Sequence, residues 1–327
     1  MWILVAKQLV IMLIIALLGF SVSKAFKFEK REQQCISKLL LYFINPCLII
    51  TQFNLEFDAN KLKSLGLVLL ISSVLHIFMI IIALIAFRGK TEEEKSLDKL
   101  DRIALVFTNC AFIGIPLING VLGQEGVFYL LGYVVIFNIF LWTFGYIMVG
   151  GKMQIKKLIT NPNIIAVTIG IILFILPVTL PDVIAKPLSH IGAMNTATAM
   201  LLLGMLFATF KLKQQAHDRD YLAPVQAKPV NYVWRVAKLT IFRLVIMIPV
   251  SLFTVYAFYR LFSGFPNIRT ICYVIYICSL TPVAMSVSSF AVLFNKDESY
   301  SGLLVMSTSA ICIATLPLAI ALAEKLF

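Results

Sequence analysis

Charge is what this chain has least of. Only 13% of its 327 residues are Asp, Glu, Lys or Arg, whereas 60% are hydrophobic and the mean hydropathy is +0.94. A water-soluble globule needs a charged exterior, so that class is excluded and a polytopic membrane protein remains. Histidine is almost missing: His76, His190 and His217 share no local motif with a catalytic partner, which argues against a membrane-embedded enzyme. The six cysteines (Cys35, Cys47, Cys110, Cys272, Cys278 and Cys312) form no C-x-x-C pair and have no histidines at metal-ligand spacing. They read as small hydrophobes, and no metal or other cofactor is expected. Residues 1–22 lack a basic n-region and a small-residue cleavage site, so they read as a retained first helix. The net charge of +12 comes from basic residues scattered between apolar spans rather than gathered on one surface, which excludes nucleic acid as a partner and leaves the lipid bilayer.

What the chain does have is apolar length. A bilayer core of ~30 Å needs about 20 apolar residues per helix, and ten stretches qualify: 2–22, 35–54, 64–87, 102–122, 127–149, 162–180, 188–210, 237–259, 270–293 and 299–323. Of the 28 Lys and Arg residues, 20 fall in the odd-numbered loops and 7 on the opposite side, with Arg243 inside span eight. The positive-inside rule then makes the odd loops cytoplasmic and both termini extracytoplasmic, in a multi-pass plasma-membrane protein. Five spans per half is an odd number, so two homologous halves, 1–149 and 150–327, would lie in opposite senses. Aligning Leu122-Gly123-Gln124-Glu125 with Phe294-Asn295-Lys296-Asp297 sets an offset of 172, which places Asn109 over Thr281, Cys110 over Pro282 and Pro116 over Ser288.

Span four is interrupted by Asn109, Gly114, Pro116 and Asn119. Pro116 has no N–H and its ring collides with the carbonyl four residues back, so a break is expected near Gly114-Ile115, with a new half-helix starting at Pro116. Span nine carries its own interruption, Thr281-Pro282, followed by Ser286, Ser288 and Ser289. Free backbone groups at membrane depth are tolerated only where protein buries them or a cavity receives them, and paired interruptions in two inverted halves point to a transporter's midplane site. A kink with a purely structural role is the competing reading at either place.

On these residues the chain resembles the auxin efflux carrier family, which includes bacterial malate and malonate permease-like carriers and plant PIN proteins. The resemblance rests on Tyr42-Phe43-Ile44-Asn45-Pro46, on Asn109 through Pro116 followed by Gly123-Gln124-Glu125-Gly126, on Asn161-Pro162, on Pro282, and on Ser307 to Pro317. It implies an all-α membrane protein of ten transmembrane helices, built as two inverted five-helix repeats with broken crossover helices 4 and 9. It further implies a scaffold of spans 1, 2, 6 and 7 and a moving domain of spans 3–5 and 8–10. Substrate is then expected beside the crossed helices, and a homodimer through the scaffold helices is a further expectation.

The substrate contacts expected are Asn109, Thr281, Ser286, Ser288, Asn195 and Thr51, with Gly114, Ile115, Pro116 and Pro282 shaping the crossover. Against each stands a structural role: serine and threonine on a membrane helix bond back to their own backbone, and Asn45 can satisfy the backbone freed by Pro46. Arg243 reads as snorkelling to the cytoplasmic face, and His76 as a hydrogen-bonded structural residue. With no Asp or Glu well inside a span, neither a carboxylate proton relay nor a sodium cage is evident. Half-helix N-termini would instead favour an anion, whose passage would move charge. The function expected is an elevator-type secondary transporter of small organic anions such as malate, malonate or auxin-like acids. An anion channel and a membrane-embedded enzyme are the alternatives.

Overall fold

The computed structural model describes residues 1–54, 58–151, 156, 159–176, 180–209 and 231–327. Six of the basic residues behind the orientation, Lys152, Lys157, Lys211, Lys213, Arg219 and Lys228, lie outside the described residues, as does His217. Among the described residues the chain is all helix apart from one isolated antiparallel bridge between Thr108 and Val283.

The helices of nine residues or more are α1 (Trp2–Ala25), α2 (Lys30–Leu39), α3 (Asn45–Phe53), α4 (Ala59–Ala86), α5 (Glu92–Val106) and α6 (Ile115–Phe140). They continue with α7 (Pro162–Ile175), α8 (Asp182–Ala193), α9 (Asn195–Thr209), α10 (Tyr232–Ile241), α11 (Met247–Leu261), α12 (Ile268–Leu280), α13 (Met285–Leu293) and α14 (Glu298–Ala323). Their starts follow capping chemistry: Asp58, Asn161, Asn231 and Asp297 each accept a first-turn amide. Thr91 and Glu94 form a reciprocal capping box at the head of α5, whose first turn holds Glu92, Glu93 and Glu94.

Among the described residues seven helices are long and apolar enough to cross a membrane, fewer than the ten stretches counted in the sequence. The shortfall has physical causes. Cys110–Met148 counts once although 39 residues of helix would reach ~58 Å, nearly twice the bilayer core. It bends at Gly123, whose φ of 66° a side chain would resist. α7 and α12 are apolar but short, and α5 is too polar to be counted.

Among the described residues four π-helical turns interrupt the α-helices, at Leu40–Ile44, Cys110–Gly114, Leu141–Gly145 and Phe242–Ile246. Three of them contain the carbonyl four residues before a proline: Tyr42 for Pro46, Phe112 for Pro116 and Val245 for Pro249. The wider turn makes room for the ring that would otherwise strike that carbonyl.

Two packing groups result. α1 lies along α9, while α3 packs on α7 and α8. Gly19 and Gly204 permit the α1–α9 approach, since a Cβ on Gly204 would sit 1.8 Å from the Ala16 carbonyl oxygen. The second group joins α4, α5, α6 and α10–α14. Between the groups, α1 runs against α14, and the Trp2 amide donates to Glu324 Oε1 at 2.9 Å, so the start of α1 and the end of α14 lie together.

Candidate functional site

Both interrupted spans open, but span four does so earlier than the proline rule predicts. α5 stops at Val106, Phe107–Asn109 is non-helical, and helix resumes at Cys110. Gly114, Ile115 and Pro116 therefore lie in continuous helix beyond the break, because the π turn absorbs the proline. In span nine the break falls at Thr281–Ala284, between α12 and α13. Thr281 adopts φ −60°, ψ 155°, the extended geometry that a following proline demands.

The two breaks satisfy one another. The Asn109 amide donates to the Pro282 carbonyl at 2.8 Å and the Ala284 amide donates to the Phe107 carbonyl at 3.0 Å. The pairing centres on Thr108 and Val283. The Val283 amide donates to Thr308 Oγ1 at 3.1 Å.

The carbonyls left at the two helix C-termini are gripped by Arg243. Its side chain is fully buried, with Nη1 2.7 Å from the Leu105 carbonyl and Nη2 2.9 Å and 2.8 Å from those of Ser279 and Thr281. Snorkelling is thus corrected. The negative ends of two half-helices offer a guanidinium more than water at the membrane face does, and the Phe242–Ile246 π turn holds it inward.

The expected contact residues divide by whether their polar atoms are already engaged. Asn109 Oδ1 accepts the Phe112 amide at 3.3 Å as N-cap, while its buried Nδ2 has no partner. Ser286 Oγ is likewise buried and unpartnered. Thr281 donates its hydroxyl to the Cys278 carbonyl at 2.9 Å. Asn195 Nδ2 donates to Asn45 Oδ1 at 2.5 Å, tying α9 to α3 and leaving only Asn195 Oδ1 unpartnered. Ser288 is half-buried. Thr51, bonded back to the Leu48 carbonyl at 2.8 Å, lies elsewhere, in a polar cavity of about 240 Å³ with Gln52, Asn54, Gln124, Lys186 and Ser189.

A larger cavity, about 420 Å³, adjoins the breaks. It lies between the packing groups, walled by Leu9, Met12 and Phe20 of α1, Met200 and Phe207 of α9, and Ile113, Pro282 and Ser309 opposite. Ser309 Oγ, buried and unpartnered, was not singled out from the sequence, since it is one of many serines on apolar helices. Sequence reasoning also missed Asp98 and Asp101, 2% and 0% exposed. The expected span began at residue 102, whereas α5 begins at Glu92.

His76 donates or accepts at Nδ1 with the Ser72 carbonyl, 2.8 Å away, and stacks on Phe140. Among the described residues no group of His, Cys, Asp and Glu could hold a metal ion.

A family model described as membrane transport protein matches residues 4–153 and 149–320, nearly the whole chain. The chain belongs to the auxin efflux carrier family. No curated protein matches its sequence. Family membership makes this carrier-family protein a membrane transporter, and its many apolar helices fit an integral membrane location.

Proposed function

We propose that this transporter carries small organic anions by elevator-type alternating access, with α4–α6 and α10–α14 shifting past α1–α3 and α7–α9. The observation that carries the reading is the charge at the crossover. A buried guanidinium covers both C-terminal ends, two half-helices restart at the breaks with the positive ends of their dipoles there, and Asn109 Nδ2 is an unused donor. Among the described residues no carboxylate pairs with Arg243. Such a place holds a carboxylate better than a cation.

Auxin-like acids, with an apolar body behind the carboxylate, suit the apolar cavity beside Ile113 and Pro282 better than malate or malonate. The chain is read as ten crossings in two inverted halves, 1–149 and 150–327. The contact between α1 and the end of α14 supports termini on one side, and the basic-residue distribution supports the extracytoplasmic side of the plasma membrane. The exposed faces of the first group are the proposed homodimer surface.

Counterflow in proteoliposomes tests the reading with malonate, malate and phenylacetate as probes. Saturable exchange is expected, strongest for phenylacetate; ohmic current would make the protein a channel, and conversion of a probe would make it an enzyme. Asn109→Ser keeps a capping oxygen but loses the amide donor. Its affinity should fall on the order of ten- to hundredfold, the value of a hydrogen bond to a charged ligand, with little change in melting temperature. Unchanged affinity would remove Asn109 from the site.

A further inference from the structure

Asp98 and Asp101 lie one turn apart on α5 and share one cation. Arg235 of α10 reaches Asp98 Oδ1 at 2.5 Å and also pairs with Asp101 Oδ2. The Tyr300 hydroxyl of α14 donates to Asp101 Oδ1 at 2.5 Å, and the Gly89 amide donates to Asp98 Oδ2. Both carboxylates and Tyr300 are at most 2% exposed. Two buried carboxylates against one partly buried guanidinium leave these side chains a net charge of −1, which uptake of one proton would neutralise.

Several other ionisable groups on the surrounding elements have partners of their own. On α5, Arg102 donates to the Phe87 carbonyl, and Glu94 accepts the Thr91 and Lys90 amides, which hold its carboxyl below the ordinary value. On α10, Lys238 donates to the Ala86 carbonyl and lies over the Phe87 ring. At the head of α14, Asp297 accepts the Tyr300 amide and the Tyr232 hydroxyl.

The cluster stands directly behind the crossover along three shared helices. Asp101 is four residues before Leu105, whose carbonyl Arg243 grips; Arg235 is eight before Arg243 itself; and Tyr300 is eight before Thr308, which receives the Val283 amide. Those spacings are about one and two helical turns, or ~6 and ~12 Å along each axis. A change of charge at the cluster therefore reaches all three supports of the broken helices.

We propose that the Asp98–Asp101–Arg235–Tyr300 cluster is a proton-binding site that couples uptake of one proton to movement of the anion. The proton leaves water, binds one carboxylate oxygen, and is released on the other side as that group ionises again; no bond to the substrate is made. The site replaces the expectation of uncompensated charge movement, which rested on the absence of buried carboxylates. Its coupling role rests on the carrier reading above.

Two experiments test it. In infrared difference spectra of the reconstituted protein, with the proton as probe, acidification should raise the C=O stretch of a protonated carboxyl group. Asp101→Asn and Asp98→Asn should each abolish that band, and Tyr300→Phe, which removes a donor to the ionised form, should move its midpoint to higher pH. A purely structural ion pair stays ionised and shows no band, and an unchanged band in both Asn variants overturns the site.

In proteoliposomes with phenylacetate and malonate as probes, a one-unit pH gradient supports up to about tenfold accumulation at one proton per anion. Asp101→Asn should abolish that accumulation while keeping exchange at equal pH; accumulation undiminished in both Asn variants overturns the coupling. Absence of exchange in the unaltered protein would refute the carrier reading and with it the coupling, while the infrared result still decides the proton site.

Discussion

At the scale of single residues, Arg243 decides whether the crossover holds. Removing its side chain leaves the Leu105, Ser279 and Thr281 carbonyls buried without a donor, at about 1–3 kcal/mol for each. Arg243→Met should therefore melt well below the unaltered protein in detergent. Arg243→Lys should fall between them, because an ammonium lacks the planar fork that serves three carbonyls at once. Equal melting temperatures for all three proteins would mean that the breaks hold themselves together. Sequence made Asn109 legible as a polar residue in an apolar span, but the state of each hydroxyl was not. Thr281 is engaged by its own helix and Ser286 is not, a difference set by backbone geometry that composition does not carry. Arg243 was misread for the same reason: its partners come from α5 and α12, more than thirty residues away in either direction.

At the scale of elements, one break was legible and the other was misplaced. Pro282 fixes the conformation of Thr281 locally, so the end of α12 can be read from the dipeptide. Pro116 sends the opposite message, because its steric demand is met by the Cys110–Gly114 π turn. The opening at Phe107–Asn109 exists because Pro282–Ala284 supplies its hydrogen-bond partners, a contact no local pattern encodes. The two prolines should accordingly behave differently. Pro116→Ala should leave the break and the affinity for phenylacetate nearly unchanged. Pro282→Ala frees Thr281 to enter the helical region and adds a buried amide, costing about 1–3 kcal/mol if unpaired. It should lower affinity and speed amide exchange at Val283 and Ala284. Loss of affinity in Pro116→Ala alone would return the functional break to Gly114-Ile115.

For the whole molecule, the question is whether the two packing groups move as bodies. Helix class was readable from hydropathy, but among the described residues the count of long apolar helices falls to seven because one bent helix takes in two of the expected spans and two other helices are short. An elevator shift must slide α1 past the start of α6, where Gln8 Nε2 donates to the Pro116 carbonyl at 3.4 Å. A Cβ at Gly120 would meet the Gln8 side chain at 2.2 Å, so cysteines at both positions would be neighbours. In a Cys35→Ser background, which removes the exposed native thiol, Gln8→Cys with Gly120→Cys should crosslink on oxidation. Phenylacetate exchange should then stop and return on reduction, while each single-cysteine protein keeps its rate through the same cycle. Full exchange through completely crosslinked protein would show that α1 and α6 stay in register during transport, and the elevator reading would give way to gating within one group.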